Sequence, residues 1–418
     1  MLELCILVAL CYAGNSSFIT PQMSSVADDQ DVISSLPDTV LCHILSFIPT
    51  TDAVATRVLS KRWTHLWRSV PSLNICDVYL DDLEDYHRFN KFVYSVLLAH
   101  NNTSIKSSIL NIWYDDSHIG RLGFPNVIKW INSLVQRGLE RLEMCVAVDV
   151  DDVQLPISIL SCRTLVVLDI SGFTVNGFSS VRLPSLKILH FHDTLFLKAR
   201  DLLLLLTGCP ILEDLYAFNL QSQSEDSLSY QECESLSLSK LIKAKMPHTF
   251  CHFPLKALHN VNELYIEINK VYRCFDEIPT FHNLTKLKLH SINYNWNLLV
   301  QVLNRCPNLQ LVELSQGTDY GGGKRDNDQE TWVDPISVPQ CILLHLKTCT
   351  LWYFRGQQGE LQLAKYILNH ARVLQTMKIC CRDSLKKQRE LSLCSKVSPT
   401  CELTFDVFRF HTEESLSD

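Results

Sequence analysis

Apolar residues recur along this chain in a short template, Leu-x-x-Leu-x-Leu with apolar substitutes. The template stands at Leu139-Leu142-Met144, Leu165-Leu168-Ile170, Leu186-Leu189-Phe191, Val261-Leu264-Ile266, Leu284-Leu287-Leu289 and Leu309-Val312-Leu314. Looser copies follow at Leu346-Cys349-Leu351 and Leu374-Met377-Ile379. Leu212-Leu215 keeps two positions, with Ala217 in the third, and Leu238-Leu241 is a degraded copy. First positions recur every 21 to 28 residues, apart from one gap of 37 that holds a polar, Gly-rich insertion, Gln316 to Asp334. Alternate apolar residues give a strand one buried face, and a period of this length suits one strand plus one helix per turn of a solenoid. Between copies, Lys198 to Leu206 and Trp296 to Leu303 read as helices. Each ends at a Cys-Pro pair, Cys209-Pro210 or Cys306-Pro307, where Pro forces the chain out of helix. The predicted fold class is α/β, a repeat solenoid preceded by a short helical module.

That module spans residues 31–74. Pro37 suits a helix's first turn and Asp38 complements its dipole, after which Val40, Leu41, Ile44, Leu45 and Ile48 recur at helical spacing. Pro49 stops this helix, and Thr50, Thr51 and Asp52 offer caps for a second, Ala53 to Leu59. A third short helix places Trp63, Leu66 and Trp67 on one side. About forty residues bury little surface alone, so this much apolar surface points to a partner. Val40, Ile48, Val54 and Val58 are assigned to the module's own core, and Leu36, Pro37 and Ile44 to the partner's side.

The landmarks Leu36-Pro37-Asp38, Ile44-Leu45, Ala53-Val54, Leu59-Ser60-Lys61-Arg62-Trp63 and Leu66-Trp67 closely resemble a plant-type F-box. The repeats, with Cys-Pro-x-Leu before a strand, resemble the leucine-rich repeats found behind plant F-boxes. Residues 338–408 resemble the FBD domain, carried by Leu346 to Leu351 and Ala364 to Ile379. The resemblance implies a non-catalytic substrate-recognition subunit of an SCF-type ubiquitin ligase. Its F-box would dock a Skp-type adaptor, and through it cullin and RING subunits, while the repeats hold a client protein. Carried over, the adaptor-binding residues are Leu36, Pro37, Leu41, Ile44, Leu45, Trp63, Leu66 and Trp67. The implied organisation is a targeting-like or flexible start at 1–30, the F-box at 31–74 and a connecting, solenoid-capping region at 75–138. Leucine-rich repeats at 139–337, the FBD-like domain at 338–408 and a tail at 409–418 complete it. The alternative is a stand-alone repeat scaffold whose N-terminal helices merely cap the solenoid.

Neighbours of the buried leucines point outward and line a solenoid's concave face. Here they include Ile188, His190 and His192, then Tyr216 and Phe218, then Glu263, Tyr265 and Glu267. Lys286, Lys288 and His290 follow, with Glu313 and Trp352 further along. Aromatics among mixed charge suit a protein-binding surface, and His190, His192, Tyr216, Phe218, Glu263, Tyr265, Glu267, Lys286, Lys288, His290 and Trp352 are the client-binding candidates. The bland reading is that the charges pair across neighbouring strands, Glu263 and Glu267 with Lys286 and Lys288.

Composition narrows the function. The 418 residues carry a net charge of −7, which argues against a grip on phosphates, so no nucleic acid is expected as a partner. No apolar run reaches the ~20 residues of a membrane span. Seventeen cysteines, an odd number at irregular spacing, read as reduced and buried thiols, which places the protein in cytoplasm or nucleus. Leu2 to Ala13 is apolar but follows no basic region and contains Glu3, so it is read as a non-functional signal-like stretch, with Met23 a second candidate start. Cys341, His345 and Cys349 lack a fourth ligand, and Gly317 to Lys324 has the wrong spacing for a phosphate loop. No metal and no cofactor are expected. The Ser/Glu-rich stretch Gln221 to Ser239 reads as a solvated insertion.

Overall fold

The computed structural model describes residues 32–100, 104–148, 153–223, 236–249, 253–267, 278–316, 332–381 and 388–407. The signal-like stretch, most of both polar insertions and the Gly317–Lys324 segment lie outside them. The chain divides into two units, Met1–Ile188 and Leu189–Asp418.

The first unit opens with four short helices, α1 (Val32–Ser35), α2 (Asp38–Leu45), α3 (Thr50–Ala55) and α4 (Trp63–Leu66). Then come β1 (Ser72–Leu80), α5 (Leu83–Ala99), β2 (Ser107–Tyr114), α6 (Ser117–Gln136), β3 (Arg141–Val148), β4 (Val167–Ser171) and the two-residue β5 (Thr174–Val175). β1 to β4 pair in parallel, with Ser72 opposite Ser107, Ser107 opposite Arg141 and Arg141 opposite Val167. The two long helices begin at side-chain caps: Asp82 accepts from the Asp85 N–H at 2.8 Å, and Asp116 from the N–H groups of His118 and Ile119. Val93, Val96, Leu110, Ile112, Val127, Trp130, Ile131 and Leu134 form the core between helices and sheet.

Residues 75–138 are therefore more than a connection, since they supply most of β1, all of β2 and both long helices. The leucine template misses β2 because Ser108, fully buried, stands where a Leu is expected. β1 carries a further copy, Val70-Leu73-Ile75, all buried, ahead of a register shift between Ile75 and Val78.

The second unit contains β6 (Ile188–His192), β7 (Leu195–Phe196), α7 (Ala199–Thr207), β8 (Asp214–Phe218), β9 (Gln221–Ser222), β10 (Lys243–Met246), β11 (Glu263–Glu267) and β12 (Lys286–His290). It continues with α8 (Trp296–Asn304), β13 (Leu311–Ser315), α9 (Gln340–Leu344), β14 (Thr348–Trp352), α10 (Gln358–His370), β15 (Thr376–Cys381), α11 (Gln388–Ser392) and β16 (Glu402–Val407). From β8 to β16 the long strands pair in parallel without register shifts, so equivalent residues of successive repeats stack in rows. One inward row runs Leu215, Ala244, Leu264, Leu287, Val312, Cys349, Met377, and the next runs Ala217, Met246, Ile266, Leu289, Leu314, Leu351, Ile379. The α/β repeat fold is thus laid down by the alternation itself. Asparagines before the first Leu position join the turns: Asn260 donates to the Ser239 carbonyl (2.8 Å), Asn283 to Asn260 Oδ1 (2.6 Å) and Asn308 to the His282 carbonyl (2.9 Å).

The degraded copy sits in another register. β10 buries Ala244 and Met246, so its template is Leu241-Ala244-Met246, three residues later than Leu238-Leu241 suggests. Among the described residues no helix is long and apolar enough to cross a membrane.

Candidate functional site

In the N-terminal module Pro37 stands just before α2, with the first helical residue at Asp38. Arg62, at the start of α4, donates from Nε to Asp38 Oδ1 at 2.7 Å and from Nη2 to the Leu36 carbonyl. Thr50, expected among the caps of α3, is buried, and its hydroxyl accepts the Asn74 N–H at 2.8 Å, while Ser72 Oγ donates to the Ser46 carbonyl at 3.2 Å. Module and β1 are thereby fastened together.

Burial sorts the module's apolar residues differently from their sequence pattern. Leu41, Leu45, Trp63, Leu66 and Trp67, all assigned to the adaptor, lie in the module's own core, with Leu41 fully buried. The i, i+4 stripe of α2 packs inward toward the third helical stretch. Val40 and Val58, assigned to the core, are 40% and 81% exposed, while Ile48 and Val54 are half-buried. Phe47 and Leu59, absent from the sequence assignment, are exposed as well. Leu36 and Ile44 are half-buried and Pro37 is exposed, so these three remain available to a partner. Sequence periodicity shows a stripe but does not say whether the chain or a partner covers it.

On the second unit the outward positions form rows. One runs Tyr216, Lys245, Tyr265, Lys288, Glu313, Thr350, Lys378 across successive strands. Charges in this row and the neighbouring one are paired: Lys286 Nζ lies 2.5 Å from Glu263, Lys288 Nζ 3.7 Å from Glu313, and Lys378 Nζ 2.6 Å from Asp406. Lys288 also sits 4.7 Å from the Tyr265 ring centroid, within cation–π range, and Trp352 Nε1 donates to Glu313 at 2.9 Å. Burial, with Glu267 and Tyr216 nearby, pushes the Tyr265 hydroxyl's pKa upward. Aromatic contacts join His190 and His192 to Tyr216, and Phe218 to His248 and His248 to His290. His248 Nδ1 lies 3.2 Å from Glu267 Oε1. Glu267 and His290, both candidate client contacts, are more than nine-tenths buried, whereas the other candidates keep exposed surface. Lys243 and Lys245 also lie on this outward surface, a place the sequence pattern hides because β10 follows the template from Leu241 and not from Leu238.

The cysteines of the described residues are free thiols. Burial pushes Cys209, Cys341 and Cys349 up to about 12, and Cys341 donates to the Leu303 carbonyl at 3.4 Å. Among the described residues no group of three His, Cys, Asp or Glu side chains is arranged to hold a metal ion.

Comparison with known proteins adds three matches along the chain. Residues 33–74 match the F-box domain, residues 127–251 the LRR repeats of FBD-associated F-box protein At5g56370, and residues 334–379 the FBD. The chain is also similar over its length to curated Arabidopsis thaliana proteins. It is 29% identical to F-box/FBD/LRR-repeat protein At4g26340, covering 90% of this chain and 100% of the relative. It is 28% identical to F-box/LRR-repeat protein 13 (88% and 93%) and 26% identical to F-box/FBD/LRR-repeat protein At1g78750 (89% and 96%).

Proposed function

Because the chain is an F-box/leucine-rich-repeat protein with a C-terminal FBD, we propose that it is the substrate-recognition subunit of an SCF-type ubiquitin ligase. F-box domains generally bind Skp-type adaptors, and an adaptor role, without chemistry of its own, follows from that membership. The observation that carries the reading is the module's division into a buried support and an exposed apolar face. Val40, Phe47, Val58, Leu59 and Pro37 stand exposed, with Leu36 and Ile44 half-buried, on a module of short helices held by Arg62 and by an indole-rich core. Apolar residues gathered on so small a module suit a protein partner.

The mechanism is positional. The module holds the adaptor, and through it cullin and RING subunits, while the outward rows of the repeats hold a client close to the transferring enzyme. Raised effective concentration and orientation then drive ubiquitin transfer. The client contacts are assigned to His190, His192, Tyr216, Phe218, Glu263, Tyr265, Lys286, Lys288 and Trp352, which keep exposed surface on one face. Cytoplasm or nucleus is the proposed location, where reduced thiols persist.

Co-purification of the full chain with a Skp-type adaptor tests this, beside a Leu36→Asp/Pro37→Ala variant. Binding by the wild type alone supports the receptor; binding by neither leaves the chain a stand-alone repeat scaffold.

A further inference from the structure

At the carboxyl ends of β12 to β14 the second unit forms a small cleft, lined among others by Trp296, Leu314, Trp352, Phe354 and Glu360. Its walls are aromatic and aliphatic, with the Gln316 amide and the Glu360 carboxyl as its polar groups. Glu360 lies in the first turn of α10 and is 3% exposed. Its Oε2 accepts the backbone N–H groups of Arg355 (3.0 Å) and Gln357 (2.9 Å), completing the helix cap. Its Oε1 is buried and, among the described residues, accepts a hydrogen bond from no group. A buried carboxyl oxygen without a donor is costly, and more so when ionised. An incoming donor would remove that cost.

The cleft itself specifies the donor. Its inner space is about 10 Å³, room for one water-sized donor group such as –NH3⁺. Three aromatic rings beside a carboxylate favour a cation over a neutral donor. The indoles are held in place. Trp352 donates to Glu313, and Trp296 packs so close to Gly359 that a Cβ there would stand 2.7 Å from the indole Nε1. Burial holds the Glu360 carboxyl above its usual range, and the backbone N–H groups of Gln357, Arg355 and Gly356, with the charge of Arg355, offset this only in part, so a cationic donor would also favour the ionised form.

We infer that this cleft is a binding site for a primary alkylammonium group, which donates to Glu360 Oε1 with its charge among the rings of Trp296, Trp352 and Phe354. The same chemistry can come from a lysine side chain of another protein or from a small free amine. The inference stands apart from adaptor binding by the F-box.

The experiment titrates the full chain with butylammonium chloride, following tryptophan fluorescence and heat of binding. Tetramethylammonium chloride and sodium butyrate at equal ionic strength serve as controls. A saturable response to butylammonium alone is expected, weakened at least tenfold in Glu360→Gln, whose amide oxygen retains a cap acceptor. Trp352→Ala, at a half-buried indole, should weaken binding without removing the carboxylate, and melting curves establish that each variant folds. Tighter binding of Nα-acetyllysine methylamide than of butylammonium would support a protein lysine as the occupant, and the reverse a free amine. An unsaturable response, equal responses to tetramethylammonium, or unchanged affinity in Glu360→Gln would overturn the site and leave the cleft to water.

Discussion

Arg62 and Asp38 close the F-box module on itself: Nε donates to Oδ1 at 2.7 Å, and the same guanidinium reaches the carbonyl of Leu36. Asp38 opens α2, so its carboxylate also complements that helix's dipole. The pair is partly exposed and contributes to stability on the order of 1 kcal/mol or less. Its larger effect is to fix the backbone that presents Leu36 and Pro37. Arg62→Ala should therefore leave the melting temperature nearly unchanged yet weaken adaptor binding about tenfold, equivalent to ~1.4 kcal/mol. Arg62→Lys should restore binding only in part, because one ammonium does not replace the two-pronged guanidinium. Calorimetry with the purified adaptor measures both.

Val58 and Trp63 lie close in sequence and should respond in opposite ways. Val58 is 81% exposed, so Val58→Asp should shift folding stability by no more than about 0.5 kcal/mol. Burying that unpaired carboxylate against the adaptor should cost several kcal/mol and abolish the complex. Trp63 is buried, and Trp63→Ala should cost about 3–5 kcal/mol of folding stability, losing adaptor binding only as a consequence. Paired melting and binding curves separate the cases. A stable, non-binding Trp63→Ala would contradict the division into support and face.

The repeat fold was legible because alternation dictates it: Leu264 and Ile266, or Leu287 and Leu289, have no stable place except facing a core. Where small or polar residues take those positions the template fails, as at Ser108 in β2 and Ala244 in β10. The F-box landmarks were equally visible, but their division into core and face was not. Leu41 and Val40 are adjacent apolar residues on one helix, and only packing against the following helices settles which is covered. The Glu360 cleft left no trace in the pattern, since a Glu three residues into a helix signals an ordinary cap. Its free Oε1 arises from tertiary placement beside Trp296 and Phe354.

The Glu263–Lys286 pair should show in a pH profile. Burial raises the Glu263 carboxyl, but the bonded Lys286 and the nearby Lys243 and Lys245 outweigh it, so the group's pKa ends below its ordinary value. A depressed carboxylate stabilises the fold fully above its unfolded pKa and loses that contribution as pH falls through the folded value. Wild type should therefore lose stability on acidification below the usual Glu range more steeply than Glu263→Gln. Lys286→Met should flatten the difference. Glu263→Lys/Lys286→Glu should keep only part of the stability, because the ammonium then faces Lys243 and Lys245, while altering client capture. Melts across that acidic range, with capture assays at neutral pH, provide the check.

Gly123 presents a conflict between local propensity and packing. It lies inside α6, where Ala is favoured over Gly by about 1 kcal/mol. Yet a Cβ there would stand 2.5 Å from Tyr114 Cε1 and 2.6 Å from its hydroxyl oxygen. Tyr114 is 4% exposed on β2, so its ring has little room to withdraw. Overpacking of this kind typically costs about 1–3 kcal/mol, which should outweigh the helical gain. Gly123→Ala is expected to lower stability, and the direction should reverse once the ring is trimmed. Tyr114→Leu alone opens space and destabilises, whereas Tyr114→Leu/Gly123→Ala should recover part of the loss. The coupling between the two positions, measured as a double-mutant cycle in denaturant melts, should be favourable by about 1 kcal/mol or more. Additive effects would mean that helix and strand do not press on each other at this contact.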